Sequence, residues 1–512
     1  MRNRRTDLRL LKVVTVMSIL LAGSVHAGPC GKRPNILLVL ADDLGYGDVG
    51  FSPFAQTNAL ARLRTASLAR LAAGGVVLTS HYAAAPVSAP SRASLITGRV
   101  QGACSLRDNC FDRPFSETNT LASVLHGAGY VTWAVGKWGV AGGGESGKPV
   151  TSHPLDRGFD YFYGFLDHLA GHTYYHYEGH LNRAFMGITE NRTNATASAE
   201  GIYSTDLFAA KAKQLIASHV KDRPEVPFFF YLALNAVHGS GRDGGKLRNR
   251  STLHVPGCPY PAEGVSWPLT PEAPEVRNTW IDPAYRLLPD KPARYATTIS
   301  RMDDAIGDIM RTLDALGIAD NTLVVFTSDN GPADEYGADP ANFQSSGPFD
   351  GLKRDVFEGG MRVPAIVRWP ATVPAGKVDA SPSQFHDWMA TFAAAADVAA
   401  PPESEGVSLL PRWTGGKASP SLVYAQYEFP YGGASQTFAR FKARKGRVRG
   451  LQQMVRSGDF VALRTRMRED GKRTRLYNVV NDPFEERDLS SVPEYADILK
   501  RLEAVLDGRF RE

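Results

Sequence analysis

Along the chain, apolar residues gather in short runs that do not alternate with polar ones. Asn35-Ile36-Leu37-Leu38-Val39-Leu40, Tyr130 to Val135, Phe228 to Leu234 and Leu323 to Thr327 are each too short for a helix and apolar on both faces. Such strands belong to a mostly parallel sheet with helices above and below it. Tyr295 to Leu316 supplies one such helix, because Ile299, Met302, Ile306, Ile309, Leu313 and Leu316 recur at spacings of three and four. Gly317 closes it, and Asp320-Asn321 turns the chain into the next strand. The predicted class is α/β, a large mixed, mostly parallel sheet covered by helices on both faces.

Beyond about Gly415 the pattern changes. Leu422 to Tyr427, Gln452 to Met467 and Arg475 to Val480 are shorter and alternate, which predicts an antiparallel sheet in a small C-terminal α+β subdomain, 416–512, after a main domain, 28–415. Residues 239–290 are rich in Gly and Pro without a period, and a loop of that length is usually functional or disordered; it could border a substrate cleft.

The first 27 residues read as a secretory signal: Arg2, Arg4, Arg5, Arg9 and Lys12 precede apolar Val13 to Leu21, and Val25-His26-Ala27 offers a small-residue cleavage site. The apolar run is shorter than the roughly 20 residues of a spanning helix, so the expectation is a periplasmic or secreted protein without a stable membrane anchor. That leader, with five basic residues and Asp7, carries +4 of the net +5. The remaining chain is nearly neutral, and its charge gives no support to a nucleic-acid partner. At 512 residues, 43% hydrophobic and 22% charged, it can bury a large core. Of four cysteines, Cys104 and Cys110 are spaced for a small-loop disulfide, which export permits, while a pairing of Cys30 with Cys258 stays open. A Cys-x-x-Cys knuckle is absent from the sequence, so a thiolate zinc site is not expected.

In open α/β sheets ligands bind beyond the carboxyl ends of the strands. The first run ends in Ala41-Asp42-Asp43 and the run at Leu323 in Ser328-Asp329-Asn330-Gly331. Either alone is an ordinary turn or helix cap. Together, three carboxylates and an amide repel one another unless a hard cation joins them through oxygen, as Ca²⁺ or Mg²⁺ does. The other two runs end at Gly136-Lys137-Trp138 and Asn235-Ala236-Val237-His238. Ser88-Ala89-Pro90-Ser91-Arg92 reads as a helix entry with Pro90 at the first helical position. Ser88 then lies just ahead of free N–H groups that favour an anion.

From Ser88 to Arg99, twelve consecutive residues resemble the signature of type I sulfatases of the alkaline phosphatase superfamily, in which a Cys or Ser at the first position becomes formylglycine. Asp42-Asp43, Gly136-Lys137-Trp138, His238, Asp329-Asn330, Gly351-Leu352-Lys353 and Phe357 to Pro364 match further family motifs in order. Gly158 to Gly164, Leu476-Tyr477 and Asn481-Asp482-Pro483 extend the likeness over nearly the whole mature chain.

The resemblance implies a sulfuric ester hydrolase acting on an aryl or carbohydrate sulfate. Ser88 would be the precursor of the aldehyde, whose hydrate attacks sulfur and then expels sulfate by restoring the carbonyl. Asp42, Asp43, Asp329, Asn330 and the modified Ser88 would hold Ca²⁺, or Mg²⁺ in its place. Arg92 would hold the hydrated residue, Lys137 and Lys353 would bracket the sulfate, His238 would protonate the leaving alcohol, and Asp329 could serve as base. A serine at the first position implies a radical S-adenosylmethionine maturase acting before export.

One position departs from the family: where a His usually follows two residues after the first lysine, this chain has Gly139. A bacterial branch shares Gly-Lys-Trp-Gly and carries a His before a Tyr-Tyr pair, here His172-Thr173-Tyr174-Tyr175, which makes His172 a candidate substitute or substrate contact. His168, His172, His176 and His180 recur every fourth residue, yet the aromatic, β-prone sequence favours a loop over a metal-binding helix. Arg242, Lys246, Arg248 and Arg250 in the long loop fit a sulfated glycan or a merely solvated surface. Two other functions stay open: a phosphodiester or phosphonate monoester hydrolase of the same superfamily, and an unmodified, inactive binder of sulfated polymers.

Overall fold

The computed structural model describes residues 32–52, 61–109, 113, 115–143, 149–176, 187–240, 253–335, 338–428 and 450–511. The leader, Cys30, Cys110, His180 and the basic residues 242–250 lie outside them. Ten strands form the main sheet: β1 (Asn35–Ala41), β2 (Val76–Leu78), β4 (Val131–Lys137), β5 (Tyr161–Phe165), β6 (Thr189–Glu190), β7 (Thr193–Asn194), β8 (Phe228–Ala233), β9 (Thr322–Ser328), β10 (Ala365–Arg368) and β11 (Lys377–Asp379). A two-stranded ribbon joins β3 (His81–Tyr82) to β12 (Ser383–Gln384).

The order in the main sheet is β11-β2-β10-β9-β1-β8-β4-β5-β6-β7. Its centre, β9-β1-β8-β4-β5, is parallel, and β10, β6 and β7 run antiparallel to their neighbours. The four apolar runs are thus the core strands. On β1, Leu37 and Val39 pack with the helices Ser204–Asp222 and Asp290–Ala315, while Ile36, Leu38 and Leu40 pack with the helices Ser88–Thr97, Leu121–Gly127 and Asp387–Ala395 on the other face. Both faces are covered, so no polar alternation is required. Among the described residues no helix is long and apolar enough to cross a membrane.

The C-terminal part is a four-stranded antiparallel meander, β13 (Val423–Glu428), β14 (Leu451–Ser457), β15 (Phe460–Arg464) and β16 (Arg475–Asn478). The stretch Gln452 to Met467 is therefore two strands, folded back at Gly458, whose φ of +57° suits a residue without Cβ. Neither face is wet. Leu502 and Leu506 of the helix Ala496–Arg509 cover one, and Val87, Val356 and Phe357 cover the other.

The helix carrying the signature starts earlier than the sequence predicts. It spans Ser88–Thr97, with Val87 extended at φ −150° and ψ 156°, so Ser88 and not Pro90 is its first residue. Pro90 falls in the first turn, where its missing N–H leaves no bond unmade.

Candidate active site

The register of the central strands brings the predicted residues together. Leu40 lies beside Ala233 on β8 and Thr327 on β9, and Gly136 on β4 lies beside Ala233. The segments just past these positions leave the sheet at one edge. Two backbone bonds tie them: Asp42 N donates to Ala236 O at 2.9 Å and Val237 N to Asp42 O at 2.7 Å. Ser88 and Arg92, four apart on one helix, share a face. Lys353 is brought in by its N–H, which donates to Pro332 O at 2.9 Å.

All ten candidate residues are buried, none more than 8% exposed. Ser88 Oγ lies 3.3 Å from Asp42 Oδ1 and 3.4 Å from Asn330 Oδ1. Lys137 Nζ donates to Asp42 Oδ2 at 2.5 Å and Lys353 Nζ to Asp43 Oδ2 at 2.8 Å. Arg92 grips Asp329 Oδ2 with Nε at 3.0 Å and Nη2 at 2.8 Å, and Nη1 donates to Lys137 O at 3.0 Å. Asn330 Nδ2 donates to Asp43 Oδ1 at 2.8 Å. His238 Nε2 stands 3.1 Å from Lys353 Nζ and 3.5 Å from Asp43 Oδ2, while its Nδ1 lies 2.8 Å from Gly239 O.

Three nearly or fully buried carboxylates thus face three cationic side chains, and this pairing is what makes such buried charges tolerable. Burial pushes the Asp43 and Asp329 carboxyls up, Asp43 also by the charge of Asp329 and against the pull of Lys353, Asp329 also by Asp42 and against Arg92. Burial depresses the Lys137 ammonium despite Asp42. For Lys353, burial works the same way, but Asp43 and Glu335 outweigh it and hold its pKa up. His238 is held well below an ordinary imidazole by burial, then by Lys353, His172 and Lys137, so the ring is neutral at rest.

His172 reaches the site. It ends a short 3₁₀ turn, Leu169–His172, and its ring stacks on His238 with centroids 4.2 Å apart. His168 packs edge-on against His172 at 5.2 Å, whereas the His176 ring lies against Phe165 at the same distance. The described histidines do not form one helix. Cys104 is buried and Cys258 exposed, and the two do not pair with each other.

Further residues hold these segments in place. Tyr174 Oη donates to Asn235 O at 3.1 Å and to His238 O at 3.0 Å, and Asn235 Nδ2 donates to Thr173 O at 3.0 Å, bolting the His172 and His238 segments together. Asn109 Oδ1 accepts from Ala89 N at 3.1 Å. Tyr174 is the first member of the aromatic pair after His172, and Asn235 begins the segment that ends at His238, so both had a signal in the sequence; Asn109 offers none.

The donor chemistry fits a hard divalent cation. Asp42, Asp43 and His238 each present a ligand atom within 4.8 Å of the others, and Asn330 Oδ1 approaches the same Ser88 oxygen as Asp42 Oδ1. Oxygens dominate the set, as Ca²⁺ and Mg²⁺ require. Asp329 keeps Oδ2 on Arg92 and its Oδ1 accepts from Asp43 N at 3.2 Å.

Residues 34–398 match the family described as Sulfatase, and residues 346–511 match the C-terminal family of N-sulphoglucosamine sulphohydrolase. The chain is 28% identical to N-acetylgalactosamine-6-sulfatase of Canis lupus familiaris, over 96% of this chain and 88% of that protein. It is 30% identical to steryl-sulfatase of Mus musculus, over 77% of this chain and 67% of that one. The crystal structure of Ps i-CgsB in complex with k-i-k-neocarrahexaose superposes with a TM-score of 0.69 at 26% identity, covering 93% of this chain and 92% of that one. With the signature helix, the acidic strand ends and these matches in agreement, the chain belongs to the sulfatase family and is a hydrolase of sulfate esters.

Proposed function

We propose that this sulfatase works through a formylglycine made from Ser88 beside a bound Ca²⁺ or Mg²⁺, within a catalytic domain spanning 28–415 and followed by the subdomain 416–512. The observation that carries the reading is the place of Ser88 Oγ: on the first turn of a helix, 3.3 Å from Asp42 and 3.4 Å from Asn330, with Lys137 paired to Asp42, Lys353 to Asp43 and Arg92 to Asp329 beside it. An unmodified serine could accept a sulfuryl group but has no easy route to release it. The aldehyde, as its hydrate, supplies one hydroxyl to attack sulfur and a second that restores the carbonyl as sulfate departs. The cation, held by Asp42, Asp43, Asp329 and Asn330, supplies positive charge to residue 88 and to the sulfate oxygens.

The chain's own residues do the rest. Arg92 fixes Asp329, which takes the proton from the attacking hydroxyl, and orients residue 88 from the same helix face. Lys137 and Lys353 receive the non-bridging sulfate oxygens as fixed cations. His238 protonates the leaving alcohol. Burial, with Lys353, His172 and Lys137 adding to it, holds the ring below an ordinary imidazole; a bound sulfate offsets the field of the two lysines, so proton uptake accompanies substrate binding. His172 lies flat on His238 and supports that ring or contacts the substrate beside it.

The substrate is an aryl or carbohydrate sulfate; the names of the galactosamine and steryl sulfatases and the carrageenan oligosaccharide bound to Ps i-CgsB support this range. The basic, apolar and small-residue pattern of residues 1–27 supports export to the periplasm or beyond. A radical S-adenosylmethionine maturase would act on Ser88 before that step. The test is sulfate release from an aryl sulfate by protein co-expressed with such a maturase, against phosphate release from the matching aryl phosphate and phosphonate. A rate at least tenfold higher on sulfate, lost in Ser88→Ala, supports the reading. A preference for the phosphorus esters overturns it.

A further inference from the structure

The loop that carries Lys353 is laced to three other segments by its backbone. Lys353 N donates to Pro332 O at 2.9 Å, just past Asp329 and Asn330, and Arg354 N donates to Pro86 O at 2.7 Å, two residues ahead of Ser88. The third tie comes from the C-terminal sheet. Arg354 O accepts from Gln452 Nε2 at 2.9 Å, and Gln452 Oε1 accepts from Val356 N at 3.5 Å. Gln452 is buried on β14, opposite Tyr427 of β13. One side-chain amide, about a hundred residues away in sequence, therefore spans the peptide groups on either side of Asp355.

The backbone held in this way is a strained one. Arg354 adopts φ +79°, in the left-handed region where a Cβ crowds the following carbonyl. Such a conformation persists only where the surroundings over-determine it. Here the N–H is committed to Pro86 and the carbonyl to Gln452, and the guanidinium pairs with Glu335, whose Oε2 also stands 3.9 Å from Lys353 Nζ. Without the Gln452 amide the Arg354 carbonyl loses a donor and the backbone can relax. Lys353, one residue back, moves with it. The rest of the loop stays docked, because Val356 and Phe357 pack in one apolar cluster with Met454, Val461 and Leu463, and Glu358 N donates to Glu485 Oε2 at 3.0 Å. Removing the amide therefore disturbs placement and not attachment.

We propose that Gln452 of the C-terminal sheet is a positioning residue for sulfate transfer: by holding Arg354 in its left-handed conformation, it sets the Lys353 ammonium against the sulfate. The inference rests on the reading of Lys353 as a cation for the non-bridging oxygens. That ammonium meets the sulfate and not the alcohol, so loss of Gln452 weakens every sulfate ester, and inorganic sulfate, alike. The test compares Gln452→Leu, which keeps the bulk and removes both bonds, with Leu506→Ala, which opens the opposite face of the same sheet. Lys353→Met is measured beside them. In the full chain with Ca²⁺ present, calorimetry gives the Kd of inorganic sulfate. Protein co-expressed with the maturase gives kcat and KM for two aryl sulfates whose phenols differ in acidity. Thermal midpoints are the folding control, and Gln452→Asn, whose amide is one methylene short, takes the place of the leucine variant should that one not fold.

The expected result in Gln452→Leu is a sulfate Kd weakened about fivefold or more and a kcat/KM lowered about tenfold or more, by the same factor for both esters, as a small misplacement of a binding cation produces. Leu506→Ala, melting as low or lower, should stay within about twofold of the parent in every constant. Equal losses in the two variants, no loss on changing Gln452, or a loss confined to the ester with the poorer leaving group overturns the inference. Lys353→Met that binds sulfate and turns over as the parent does removes the reading of Lys353 instead. A parent that binds sulfate but turns over neither ester counts against the reading of Ser88, and the sulfate constants alone then decide the role of Gln452.

Discussion

His172 lies flat against His238, with ring centroids 4.2 Å apart and planes inclined by 19°. The two segments are locked by Tyr174 Oη on the His238 carbonyl and by Asn235 on Thr173 O. With Nδ1 at 2.8 Å from Gly239 O, the neutral His238 ring carries its proton there and turns Nε2 toward Lys353. Removing His172 frees one face of the ring whose Nε2 must meet the leaving oxygen. We expect His172→Ala to lower kcat for aryl sulfate roughly 10–100-fold, the range a small misplacement of a catalytic group produces. Unchanged turnover would remove His172 from the site.

Gly139 stands where the family usually has His, and its backbone explains why a side chain is unwelcome. It adopts φ +76°, and a Cβ there would lie 3.1 Å from Arg92 Cδ. Gly139→His adds roughly 1–2 kcal/mol of left-handed backbone strain and presses on the guanidinium that grips Asp329. The variant should melt several degrees lower and lose most turnover. A faster enzyme would mean instead that this position has simply lost a catalytic group.

A cation that binds the folded site stabilises it by mass action, about 2.7 kcal/mol at a hundred times Kd. Titrating Ca²⁺ and Mg²⁺ into chelator-treated protein should raise the thermal midpoint. Asp43→Asn should abolish the rise. Because burial lifts the Asp43 and Asp329 carboxyls, protons compete for the same oxygens and cation affinity should weaken as pH falls. A midpoint indifferent to both ions contradicts the cation assignment.

Asp48, wholly buried, accepts from Gly45 N at 2.9 Å and from Tyr295 Oη at 2.7 Å, and burial raises its carboxyl from 3.8 to about 6. The folded state therefore holds this proton more tightly than the unfolded chain. The resulting stabilisation is complete below about pH 3.8 and is lost as pH rises through about 6, a span worth roughly 3 kcal/mol. Asp48→Asn keeps an acceptor but does not titrate. From pH 6 down to pH 4 the parent should gain urea resistance relative to this variant, and parallel curves would rule the linkage out.

The central strands and the ends that bear Asp42, Lys137, His238 and Asp329 were legible because a strand buried on both faces leaves an unbroken apolar run, and ligands gather past its carboxyl end. The start of the signature helix was not, because Val87 is kept extended by packing on the C-terminal sheet, a contact between residues far apart in sequence. The same distance hides the cover that Leu502 and Leu506 give to one face of that sheet, which alternation alone would have left wet. His172 could be suspected from its neighbours, but its stacking on His238 depends on how two irregular segments are bolted together. Asn109, a lone amide in a loop, became visible only through its bond to Ala89.

The conversion of Ser88 is the step on which catalysis depends, and mass spectrometry of the tryptic peptide Leu71–Arg92 reads it directly in protein that releases sulfate. Oxidation of serine to the aldehyde removes two hydrogens, so the active preparation should contain a peptide about two mass units lighter than the sequence, in proportion to specific activity across preparations made with and without the maturase. Full activity in protein whose peptide carries only serine would contradict the account.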